Sequence, residues 1–131
     1  MVNPDSVRDQ ADWVPQRGEV IWINCNPQAG REMRDHHPLL VLSPRNFNQR
    51  TSLVIGLPMT TAAYNADNPF AVAVGRSRKH GDPSAISYIL CHQPKSFDWR
   101  VRRARPHPAG RVSKSVFAQA CARLNQIIEI G

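Results

Sequence analysis

From Gly18 the chain alternates with a period of two. In GEVIWINCN, Val20 and Trp22 share one face while Ile21 and Ile23 share the other, and the residues are strong strand formers. PLLVLS, opening at Pro38, is the short apolar run of a buried strand. TSLVIGLPMT is a third strand, interrupted late by Pro58, and FAVAV and SAISYIL supply two more. After KSFDW, the segment RVRRARP predicts a last short strand ending before Pro106. The connections are polar: a loop PQAGREMRDHH, a turn-rich connector RNFNQR, a second loop TAAYNADNP and a charged hairpin-like stretch RSRKHGDPS. Residues 1–17, with Pro4, Asp5, Asp9, Asp12 and Pro15, lack periodicity and read as a polar lead-in.

The period changes near the end. From Ser113, apolar residues recur at Val116, Phe117, Ala120, Cys121, Leu124, Ile127 and Ile128, the stripe of an amphipathic helix. Ser113 or Ser115 is the expected N-cap. Several short strands followed by one helix predict a mainly β domain, a small barrel or curled sheet with the helix packed on it. No internal repeat, Walker lysine loop, dinucleotide fingerprint or nucleophile elbow is present.

Composition narrows the class. At 131 residues and 41% apolar content the chain has length and hydrophobicity for one packed core. No apolar run approaches the roughly 20 residues of a membrane span, and the N-terminus lacks signal-peptide character. Cys25, Cys91 and Cys121 are far apart, which argues against a disulfide framework or zinc site and for a reducing, cytoplasmic setting. No cofactor is expected.

Charge adds a partner. Lys and Arg number 17 against 10 Asp and Glu, a net charge of +7, which favours polyanions through long-range attraction and counterion release. Arg100, Arg102, Arg103 and Arg105 cluster, flanked by Lys95, Arg111 and Lys114. Trp99 at the edge of this run is either a stacking platform for an unpaired base or a core residue. Nucleic acid, and RNA in particular, is the favoured partner.

The residue types for phosphodiester chemistry sit at loops and strand ends. Arg31, Glu32, Arg34, Asp35, His36 and His37 fall within seven residues. RNA cleavage by the 2′-OH needs proton transfer at two oxygens and donors on the phosphate; histidine moves protons near neutral pH, and arginine grips phosphate with paired hydrogen bonds. Entering a strand before Pro38, His36 and His37 must point to opposite faces. The same cluster also fits a solvated loop. Thr60, Thr61 and His92 at strand ends are further candidates that spacing leaves unassigned.

Taken together, RGEVIWINCNPQAGREMRDHHPLLVLSP, LPMTT, NPF, CHQPKSFDWRVRRA and the C-terminal helix resemble, in order and spacing, the MazF/PemK-type toxins. The resemblance covers residues 15–131 and leaves 1–14 as the lead-in. It implies an SH3-like β-barrel of the CcdB/PemK type with a C-terminal helix, forming a homodimer. It also implies a sequence-selective, metal-independent endoribonuclease, the toxin half of a toxin–antitoxin pair, with a cognate antitoxin as protein partner. Thr60 then takes the position of the family's catalytic threonine, and Glu32 that of the glutamate in its first loop.

The family's catalytic arginine, immediately before the strand-opening proline, is replaced by His37; Met33, Asn26 and His92 are further departures. Either His37 takes over proton transfer, or cleavage is weakened and an RNA- or antitoxin-binding protein remains. A CcdB-like gyrase poison is the alternative on the same fold. The expected site is therefore His37, Thr60 and Glu32 for catalysis, with Arg31, Arg34, His36, His92, Lys95, Trp99, Arg100 and Arg102 binding RNA.

Overall fold

The computed structural model describes residues 12–25, 36–76 and 86–129. Among them run strands β1 (Glu19–Asn24), β2 (His36–Val41), β3 (Leu53–Thr60), β4 (Ala71–Arg76), β5 (Ile86–Leu90), β6 (Lys95–Asp98) and β7 (Arg105–Arg111). Helix α1 (Arg45–Thr51) joins β2 to β3, a 3-10 turn spans Ala63–Asp67, and helix α2 (Lys114–Ile128) closes the chain. All pairings are antiparallel, in the order β4-β5-β3-β2-β1-β7, with β6 also on β3.

Two cores follow from the strict alternation of β1 to β3. Val20, Leu40, Leu57 and Met59 face one way and pack with Val72, Ile89, Cys91, Ala120 and Leu124 beneath α2. Ile21, Ile23, Leu39, Val41 and Val54 face the other way and pack with Val14 and Trp99. A slip of one residue in any of these strands would exchange the two sets, so both cores fix the register together. The sheet curls because β6 on β3 and β7 on β1 are joined by the 99–104 turn, which closes over the second core as a half-barrel. Trp13 also packs on this core, so part of the stretch read as lead-in belongs to the packed domain; the rest of that reading lies outside the described residues.

Glycine is required at one central position. A Cβ on Gly56 would lie 2.5 Å from the Leu40 carbonyl oxygen and 2.8 Å from the Leu39 side chain. β2 approaches β3 that closely where the two cores meet.

Two elements differ from the sequence reading. RNFNQR is helical, not a turn-rich connector. Its buried Asn48 donates to the Pro15 and Ser43 carbonyls at 2.8 and 3.0 Å and accepts from the Ser43 hydroxyl, so tertiary contacts hold a helix that has no apolar stripe. The final strand is Arg105–Arg111, whereas residues 100–103 form the turn. Pro106 and Pro108 are tolerated because β7 is an edge strand, where a missing N–H costs no ladder bond on the open side. The C-terminal helix agrees with its periodicity, and the Ser113 hydroxyl accepts from the Val116 N–H at 3.1 Å as its N-cap.

Candidate active site and RNA interface

β1 and β2 deliver the histidines. Ile23 pairs with His37 and Asn24 with His36, so His37 lies on the Ile23–Leu39 face and His36 on the opposite one, as alternation requires. His37 is exposed. His36 is half-buried, and its Nδ1 is shielded from solvent with no hydrogen-bond partner among the described residues.

β3 brings the threonine to the same end. β2 and β3 pair Val41 with Gly56, Leu40 with Leu57 and Leu39 with Pro58. His37 and Thr60 each lie two residues beyond the last pair, Leu39 and Pro58, so both fall toward the same end of β2 and β3. The ladder stops at Pro58 because neither Pro38 nor Pro58 has an N–H to donate. The Thr60 hydroxyl oxygen accepts from the Ala62 N–H at 3.2 Å, which orients the group and leaves its proton to donate elsewhere. Tyr88 pairs with Thr60 from β5 and is only 8% exposed. Alternation in ISYIL gives its face, but nothing local to β5 signals its proximity to Thr60.

The other expected residues separate into groups. Arg31, Glu32 and Arg34 lie outside the described residues. Lys95 is exposed and pairs with Gly56, four residues along β3 from Thr60, or roughly 13 Å of strand. His92 is exposed beside Gln93, with its ring 5.9 Å from Phe70. It lies four residues past Tyr88 in the direction away from Thr60, so it does not join the His37–Thr60 pair.

Trp99 is a core residue, not an open stacking platform. It is 6% exposed, its Nε1 donates to the Asn48 carbonyl at 2.8 Å, and the Arg100 guanidinium lies 4.2 Å over its ring. Arg100 itself is exposed. The turn beneath it is held by Asp98, whose carboxylate accepts from the Val101 and Arg100 N–H groups and the Ser52 hydroxyl. The Val101 bond above all holds this carboxyl below the usual carboxylate range.

Arg102 also differs from expectation. Its Nη1 donates to the Asn24 and Cys25 carbonyls at 3.2 and 3.0 Å, and its guanidinium lies 4.9 Å over Phe97. Its backbone carbonyl accepts from the Asn24 N–H at 3.1 Å. Arg102 therefore clamps the end of β1 at Asn24, the residue after the Ile23–His37 pair, and is a positioning residue before it is a phosphate ligand.

Two further groups complete the chemistry. His107 on β7 stacks at 4.4 Å on Trp22, and its Nδ1 accepts from the Ala109 N–H at 2.9 Å. That bond needs a neutral ring, and burial lowers its pKa from the ordinary histidine value. Cys91 is fully buried, and burial pushes its thiol up to about 11, so it is an inert core filler at neutral pH.

Comparison with known proteins agrees with this architecture. Residues 16–128 match the family described as PemK-like, MazF-like toxin of type II toxin-antitoxin system. The chain is 31% identical over 116 residues to the endoribonuclease toxin MazF of Escherichia coli (strain K12), covering 88% of this chain and 96% of that protein. It is 28% identical to the endoribonuclease PemK of Escherichia coli, covering 93% of this chain and 86% of that protein. Among solved structures, a MazE–MazF crystal structure from Deinococcus radiodurans aligns with a TM-score of 0.70 at 28% identity, over 92% of this chain and all of that one. MazF alone from the same organism aligns at 0.67 and 33%, over 91% of this chain and all of that one. A match across most of the chain, on a shared half-barrel with a closing helix, makes this protein a member of the PemK-like, MazF-like toxin family of type II toxin–antitoxin systems.

Proposed function

We propose that this chain is the toxin of a type II toxin–antitoxin pair and an endoribonuclease that cleaves single-stranded mRNA at selected sequences without a metal. The observation that carries the reading is that β2 and β3 run antiparallel with His37 and Thr60 both beyond the Leu39–Pro58 pair, toward one end. Residues of that kind are what 2′-OH transphosphorylation needs. His37 removes the ribose 2′-OH proton as the 2′-oxygen bonds to phosphorus. The bond from phosphorus to the 5′-oxygen breaks, and the leaving oxygen takes up the proton that His37 has gained, with Glu32 as the candidate carboxylate that orients or accepts. Thr60 donates its hydroxyl proton to a non-bridging oxygen. The products are a 2′,3′-cyclic phosphate and a 5′-hydroxyl.

Arg31, Arg34, His36, Lys95 and Arg100 supply charge and donors along the RNA path, and Arg102 keeps the end of β1 in place beside it. The cognate antitoxin is the protein partner, in keeping with the MazE–MazF crystal structure among the similar folds. The toxin works in the cytoplasm as a homodimer. Leu53 and Ile55, exposed at 38 and 39% on one face of β3, are apolar surface that a second copy can cover. The named relatives are endoribonucleases, so a gyrase poison is not favoured. Purified protein incubated with a long RNA in chelator tests the reading: discrete cuts ending in cyclic phosphate support it, and intact RNA refutes it.

A further inference from the structure

Away from the His37–Thr60 end, a cleft of about 500 Å³ opens between the N-terminal segment, α1 and the 99–104 turn. Arg45, Arg100 and Arg103 line it together with Asp12, Trp13 and Trp99. Its volume lies in the range of small-ligand sites. Among the described residues none of the three guanidiniums forms an ion pair, and the only side-chain hydrogen bond from any of them is a long one, 3.4 Å, from Arg45 to Gln49. Three guanidiniums against the single Asp12 carboxylate in the lining leave the cleft with a net positive charge, which favours an anion. Arg103 carries a left-handed backbone, φ 53°, a conformation that a non-glycine residue seldom adopts. Arg100 is backed by the Trp99 ring, which leaves the other face of its guanidinium open to a base and its N–H edge to a phosphate. Asp12 and Trp13 precede the stretch matched by the family, so part of this wall belongs to this chain's own N-terminal segment.

The geometry points to a second RNA subsite in this cleft, which holds one phosphodiester of the substrate strand on Arg45, Arg100 and Arg103, at a distance from the bond that is cut. RNA is favoured over an acidic peptide by continuity. The turn that supplies Arg100 and Arg103 also supplies Arg102, which is bonded to the end of β1 beside the histidines. The turn that carries Arg100 and Arg103 is thus tied to the strand end beside the histidines, and an RNA strand leaving that end can follow it to the cleft. This subsite rests on the ribonuclease reading above, but it makes a separate prediction about binding.

The test uses the whole chain and the double variant Arg45→Gln, Arg103→Asn. Glutamine keeps a good helix former at position 45, and asparagine tolerates the left-handed backbone at 103. Melting curves matching wild type within about 3 °C certify the fold, and if they fail, Arg45→Gln alone is measured the same way. The first arm measures affinity for an uncleavable, fully 2′-O-methylated RNA against salt. The double variant is expected to bind about tenfold more weakly, with a log–log slope shallower by about 1.4, the value for two lost contacts on a single strand. For Arg45→Gln alone the expected change is half that slope. The second arm compares kcat/KM for a long RNA with that for one trimmed to the mapped cut site; the preference of wild type for the long RNA should fall to near one in the variant. Unchanged affinity and slope would overturn the subsite. So would competition at the cleft by a polyglutamate peptide with no effect of the variant on RNA, which would assign the cleft to an acidic protein segment. A wild-type protein that binds but does not cut, with the slope change intact, would sink the ribonuclease reading and keep the subsite.

Discussion

Replacing Arg102 by alanine separates the clamp from the phosphate contacts. The wild-type guanidinium makes two charge-assisted hydrogen bonds, to the Asn24 and Cys25 carbonyls, and covers one face of Phe97. At about 1.5 kcal/mol each, the low end for bonds to a charged group, the two bonds total about 3 kcal/mol. The site is half-exposed, so water reaches the abandoned carbonyls and recovers about half of that. Loss of the Phe97 contact adds about 0.5 kcal/mol. The net is about 2 kcal/mol, a fall of about 8 °C in melting temperature for a domain of this size. Arg100→Ala removes only an exposed guanidinium from the Trp99 face and should melt within about 2 °C of wild type. The order reverses in RNA binding: Arg100→Ala flattens the salt dependence by about 0.7, one single-strand contact, and Arg102→Ala leaves the slope alone. Thermal melts and salt titrations on both variants provide the comparison. An Arg102→Ala protein as stable as wild type, with the shallower slope of the two, would refute the clamp.

Thr60→Val keeps the shape of the strand end and removes the donor. Cleavage should fall about 10²- to 10³-fold, as when one transition-state donor is lost, with RNA affinity unchanged; a loss confined to affinity would contradict the role. Gly56→Ala forces a Cβ against the Leu40 carbonyl and the Leu39 side chain and should destabilise by about 3 kcal/mol or more in urea melts. His107 is held neutral by burial, so its folded pKa lies below the unfolded value of about 6.5. Its contribution to stability is intact above that value and is lost as pH falls below it through the folded pKa. His107→Phe, which keeps a ring on Trp22, should flatten the fall in melting temperature between pH 7 and 5, and an unchanged fall would assign it to other groups.

The parts of the fold visible in the sequence were those with local period. Val20 and Trp22 against Ile21 and Ile23, the PLLVLS run and the stripe from Val116 to Leu124 each correspond to an observed element and face. What stayed hidden depends on distant partners. Helix α1 has no stripe to read because Asn48 ties it to Pro15, 33 residues away, and accepts from Trp99, 51 residues away. β7 was obscured by two prolines that only an edge position permits. For the site, the resemblance points to Thr60 and to the departure at His37, and only the pairing of β2 with β3 brings both toward the same strand end. The arginine run read as one basic wall. In the structure it divides into a clamp at Arg102 and a cleft wall at Arg100 and Arg103, joined there by Arg45 from a part of the sequence with no charge cluster of its own.

In the proposed mechanism His37 does the proton transfer that the resemblance assigns to arginine at this position. Single-turnover cleavage of a mapped RNA by wild type and His37→Ala, with RNA affinity and melting temperature measured on the same preparations, tests it most directly. The variant is expected to cut about 10²- to 10⁴-fold more slowly, at unchanged affinity and fold. A His37→Ala protein that cuts at the wild-type rate would contradict it.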